Sequence, residues 1–131
     1  MHASRDPAIA LRITPPKLRR SLLVRKRIDA LRARLASMAV VLVEAPAGFG
    51  KTLALAQWRA DWLREGALVA WLSVDADDDA SRIVAGLVES LRHAADDPAM
   101  GGSVPDPAAY PGGYADAITA LLAEIAETPR I

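Results

Sequence analysis

The chain has 131 residues, 52% hydrophobic and 24% charged, the composition of a globular rather than a disordered chain, and sufficient for one modest core. It has no cysteine, which rules out a disulfide framework, a thiolate metal site and a cysteine nucleophile; His2 and His93 are too far apart in sequence for a metal-ligand spacing. The zero net charge hides a division: residues 1–37 hold ten Lys or Arg against Asp6 and Asp29, a net +8, and the remainder carries −8.

A basic arm of this kind binds nucleic acid, nucleotide phosphate or an acidic surface, the chain's own body included. No recognition helix or zinc pattern accompanies it, so any DNA binding is expected to be weak and salt-dependent. The longest uncharged apolar run, Leu35 to Val43, is far shorter than the roughly 20 residues of a membrane helix. The N-terminus has no signal-peptide core. The expected compartment is the cytoplasm, with no membrane partner.

In chain order, residues 1–16 read as irregular, because Pro7, Pro15 and Pro16 interrupt helical periodicity. From Ser21 the spacing of Ile28, Leu31 and Leu35 predicts a helix. Ala39 to Val43 is apolar and β-branched, the pattern of a strand buried on both faces. A glycine turn at Ala45–Gly50 leads into a helix marked by Leu55, Trp58 and Trp62, which ends near Gly66. Ala67 to Val74 reads as a second strand, and Asp77 to Ala95 as a helix through Ile83, Leu87 and Leu91. Residues 96–114 form a Pro- and Gly-rich loop of the kind that is mobile and tolerates insertions. A last helix, Ala115 to Glu127, carries Ile118, Leu121, Leu122 and Ile125 on one side. The order predicts an α/β fold: a partial P-loop NTPase parallel sheet with flanking helices. Two regions are expected, a basic arm with the first helix at 1–37 and a partial nucleotide-binding domain at 38–131.

The chemistry lies in Ala45-Pro46-Ala47-Gly48-Phe49-Gly50-Lys51-Thr52, one residue short of G-x-x-x-x-G-K-[ST] because Ala45 replaces the first Gly. Small residues let the backbone N–H groups of Ala47, Gly48, Phe49 and Gly50 converge on phosphate oxygens. The helix that follows adds its free N–H groups and positive end. Lys51 is expected at the β- and γ-phosphates, and the Thr52 hydroxyl at Mg²⁺. The alternative is a plain glycine turn with a solvated lysine. A dinucleotide fingerprint is disfavoured, since G-x-G-x-x-G is absent.

The loop resembles the A-P-A-G-x-G-K-T of MalT-like, LuxR-type ATP-dependent transcriptional regulators, which are signalling ATPases of the STAND class. Ser21 to Ile28 is similar to that family's D-L-V-P-R-P-R-L, Gln57-Trp58 to its Q-W, and Ala70 to Asp75 with Asp77 to Asp79 to its A-W-L-S-L-D-x-x-D-N-D. The likeness spans about residues 17–93. It implies an ATP/ADP-binding switch segment that works with Mg²⁺, the remainder of the regulator and self-association. DNA is bound there through a C-terminal helix-turn-helix that this chain lacks. Two departures stand out: Leu53 replaces a second Thr, and Glu44 puts a carboxylate where the family has Ser or Thr. The family's next strand, ending in L-D-D, has no counterpart, so the reading is of a fold truncated before the Walker B strand. No catalytic residue is assigned, and the chain alone is expected to bind nucleotide weakly and not to turn it over. The rival readings are a P-loop kinase or small ATPase fragment and a non-catalytic interaction fragment with a vestigial loop.

Asp75, Asp77, Asp78 and Asp79 read as cap and dipole partners of a helix rather than as metal ligands. Trp58, Trp62 and Trp71 read as core before base-stacking residues. Arg25 and Arg27 fit either a nucleotide contact or a solvated turn.

Overall fold

A computed structural model describes residues 7–19, 26–104 and 113–128. Among them are five helices: α1 (Pro7–Arg12), α2 (Lys26–Leu35), α3 (Lys51–Arg64), α4 (Ala80–Ala95) and α5 (Gly113–Glu127). The described residues contain no strand, which overturns the expected parallel sheet.

Neither strand-like run forms a strand. Val40 and Leu42 are 85% and 79% exposed, the opposite of a strand covered on both faces. In the second run Ser73 donates its N–H to the carbonyl of Arg12 at 2.9 Å; that contact builds no ladder. The reason is physical: a strand exists through a partner's N–H and C=O groups, and an apolar β-branched run encodes extension without supplying them.

The molecule divides into two compact units, residues 1–15 with 67–131, and residues 16–66. In the first, α4 packs on α1 and α5. Its buried face is Val84, Gly86, Val88 and Ser90, while the expected Ile83, Leu87 and Leu91 are only half-buried. Gly86 allows a close approach, since a Cβ there would stand 2.8 Å from Leu72 Cδ1. α5 contributes Ala117 and Leu121 to the core and leaves Leu122 and Ile125 exposed.

Pro7, read as a helix breaker, instead opens α1. At the first helical position its missing N–H has no partner to lose, and its fixed φ suits the helix. The end of α1 is tied down by Arg12, whose Nη2 lies 2.5 Å from Asp78 Oδ2 and whose Nε donates to the Ser73 carbonyl at 3.1 Å. The side chain of Asp78 is only 4% exposed, and it also accepts the Asp75 N–H at 2.7 Å. Asp79 caps α4, accepting the Arg82 N–H at 2.8 Å. The capping role expected of the aspartates therefore falls on Asp79. Asp79→Ala is expected to lower stability by about 1 kcal/mol, read from urea unfolding; an unchanged midpoint would show that the cap contributes nothing.

After α4 the chain turns through Asp96, a non-glycine at φ 51. The expected mobile loop starts at this point, yet its first half is tied at both sides. Arg92 Nε donates to the Met100 carbonyl at 2.7 Å. Glu124 on α5 accepts the Gly101 N–H and the Ser103 hydroxyl, each at 2.6 Å. Residues 105–112 lie outside the described residues. The Ser103 hydroxyl first, and then the Gly101 N–H, hold the Glu124 carboxyl below its ordinary range. A folded value below the unfolded one stabilises the fold above the usual carboxylate range, and the stabilisation is lost as pH falls through the depressed value. Between pH 7 and 3 the thermal midpoint of wild type should therefore fall more steeply than that of Glu124→Gln. Parallel curves would show that Glu124 does not tie the turn.

In the second unit α2 packs on α3. Ala56 and Trp58 are buried, and Trp58 meets Trp62 with ring centroids 6.2 Å apart. Arg32 Nη1 lies 2.8 Å from Glu65 Oε1, and its Nε lies 3.8 Å from Asp61 Oδ2. The hydrogen bond to Glu65 raises the Arg32 pKa further. α3 ends as expected at Gly66, with φ 85 and its N–H on the Leu63 carbonyl at 3.1 Å. Ser21 to Arg25, part of the family-like segment, lie outside the described residues. Among the described residues no helix is long and apolar enough to cross a membrane.

Candidate functional site

The candidate loop sits where the segment after α2 meets the start of α3. Gly48 and Gly50 have φ values of 82 and 79, a region that costs an L side chain and that glycine enters freely. A Cβ at either position would meet nothing within 4 Å. Backbone conformation, not crowding, therefore demands glycine, and the space over the loop is open. Phe49, between them, has no positive φ. An alternation of this kind turns backbone N–H groups toward a common concavity.

Gly50 is the N-cap of α3, and no side chain caps the helix. Its first turn also lacks any acidic residue. The positive end of α3 is thus left with neither a side-chain cap nor a first-turn carboxylate, while within the loop the Phe49 N–H is bonded to the Pro46 carbonyl at 3.4 Å. Lys51 donates its Nζ to the carbonyls of Ala45 and, at 3.2 Å, Pro46. The ammonium thus lies against the loop's own backbone rather than on a carboxylate. Thr52 is exposed at the second position of α3, and Ala47, Gly48 and Phe49 are exposed ahead of it.

These residues fit a nucleotide's phosphates: two left-handed glycines, an uncapped helix start and one ammonium converge on one short segment. They fit Mg²⁺ only as part of a nucleotide complex. Among the described residues no group of three or more His, Asp or Glu could hold a metal, and Thr52 alone offers a single hydroxyl. Mg²⁺ ordinarily keeps several waters and binds through few protein ligands plus substrate phosphates.

A groove of about 360 Å³ in the first unit offers different chemistry. Its lining includes Leu68, Met100, Asp97, Glu124 and Glu127, and three carboxylates repel phosphate. Sequence reasoning missed Arg12 and Arg32 as fold-pinning residues. Their only signal was the charge division, which names no partners.

Over 88 residues the chain is 41% identical to the serine/threonine-protein kinase PknK of Mycobacterium tuberculosis and to that of Mycobacterium bovis. This chain is distantly related to those kinases. The match takes in 66% of this chain but only 8% of the kinase's length, so the chain spans a small part of the relatives it matches. No family model matches, and no solved structure matches significantly.

Proposed function

We propose that this chain is an ATP/ADP-binding switch segment of a MalT-like, LuxR-type transcriptional regulator. The observation that carries the reading is the segment Ala45–Thr52: two positive-φ glycines lead into a helix with no side-chain cap, and Lys51 lies on the loop's carbonyls. The backbone N–H groups of Ala47, Gly48 and Gly50 and the start of α3 take up phosphate oxygens, the Phe49 N–H would exchange the Pro46 carbonyl for phosphate, and Lys51 moves from carbonyl to phosphate as a compact charge. Thr52 offers its hydroxyl to Mg²⁺, which supplies charge neutralisation between phosphates when it is bound with nucleotide.

PknK is named as a protein kinase, but the H-R-D and D-F-G motifs of a kinase catalytic core are absent from these 131 residues. That favours nucleotide binding over phosphoryl transfer for the segment. DNA contact is assigned to a helix-turn-helix elsewhere in the regulator, with self-association as the output and the cytoplasm as the compartment. Calorimetric titration of the chain with ATP, ADP and GTP in Mg²⁺ tests the reading. Saturable binding of the adenine nucleotides supports it. No binding, or equal binding of GTP, overturns it.

A further inference from the structure

Glu44 stands immediately before the phosphate-binding segment and is exposed. Its neighbour Ala45 lends its carbonyl to the Lys51 ammonium. With consecutive Cα atoms about 3.8 Å apart, chain connectivity keeps the Glu44 carboxylate and that ammonium at a separation on the order of one Debye length, ~10 Å at 0.1 M salt. Among the described residues no ion pair engages Glu44, and Lys51 spends its hydrogen bonds on carbonyls. One negative charge is therefore left beside a segment otherwise built for anions.

We infer that Glu44 is a specificity-determining residue that selects nucleotide with Mg²⁺ over metal-free nucleotide; this rests on the phosphate-binding reading of Ala45–Thr52. Repulsion between a carboxylate and a polyphosphate grows with the charge that the phosphates carry. A divalent ion on the phosphates cancels part of that charge, so Glu44 penalises the metal-free form more. No cluster of protein acids competes for the ion among the described residues, and Mg²⁺ enters with its nucleotide.

The test is ATP binding by calorimetry, in Mg²⁺ and in EDTA, for wild type, Glu44→Gln and Glu44→Asp. The Gln variant should bind metal-free ATP about 3- to 10-fold more tightly at low salt, with a smaller change for the Mg²⁺ complex. The Asp variant should keep the wild-type ratio of the two affinities, and high salt should compress the difference. If ATP binding persists, is lost in Lys51→Ala measured alongside, and the Gln variant keeps the wild-type ratio, the role of Glu44 is overturned and the site stands. If no protein binds nucleotide under either condition, both fall together.

Discussion

Lys51→Ala is expected to weaken ATP and ADP binding by about 10- to 150-fold, the loss of charge-assisted contacts of roughly 1.5–3 kcal/mol. Lys51 opens α3 and its Nζ sits on the carbonyls of Ala45 and Pro46, so the ammonium is already held at the loop before any phosphate arrives. That contact sets the size of the effect: binding exchanges two carbonyl acceptors for anionic ones, and only the difference appears as affinity. Lys51→Arg should recover part of the loss, because it keeps the charge but replaces a compact ammonium with a wide planar fork. Thermal unfolding should change little in either variant, since Lys51 is not part of the core. Equal affinities of wild type and Lys51→Ala would remove Lys51 from the site.

Gly101→Ala is expected to destabilise the fold by about 2–5 kcal/mol, from a left-handed penalty of about 1–2 kcal/mol and overpacking of about 1–3 kcal/mol. Gly101 has φ 78, and a Cβ there would stand 2.6 Å from Val88 Cγ1 and 3.2 Å from Cγ2. Val88 is buried in α4, so it has little freedom to give way. The backbone cannot retreat cheaply either, because the Gly101 N–H is bonded to Glu124 at 2.6 Å. Gly48→Ala is the comparison: φ is nearly the same at 82, yet nothing lies within 4 Å, so only the conformational term applies. Chemical denaturation of both variants and of Gly101→Ala with Val88→Ala separates the terms. The double variant should recover much of the clash cost. Equal losses at Gly48 and Gly101, with no recovery, would show that Val88 does not press on the turn.

The phosphate-loop candidate was legible because its information is local. Glycine at 48 and 50 reports the sign of φ, and Lys-Thr at the helix start reports an uncapped N-terminus, all within eight consecutive residues. The same holds for the end of α3 at Gly66 and the Asp79 cap of α4. Pro7 was misread for an equally local reason: the ring breaks a helix in its interior and starts one at its first position. Sequence alone does not say which position it occupies.

That the strand-like runs form no sheet among the described residues was not legible. Ala39 to Val43 and Ala67 to Val74 carry a strand-like composition, yet neither run is in a strand. Whether an extended run becomes a strand depends on a second backbone at hydrogen-bonding distance, and no residue inside the run encodes that.

What the sequence determined by itself is therefore the set of short-range features: the helices α2 to α5, the Asp79 cap and the turn glycines. Each is decided by dihedral preferences and by hydrogen bonds that reach no more than about four residues along the chain. Tertiary structure alone decided that the strand-like runs stay unpaired, that Arg12 finds Asp78, and that Glu124 holds the turn at Gly101 and Ser103. These contacts join residues 66, 23 and 21 positions apart. Their partners are chosen by packing around α4, whose buried face no periodicity could assign to one neighbour rather than another.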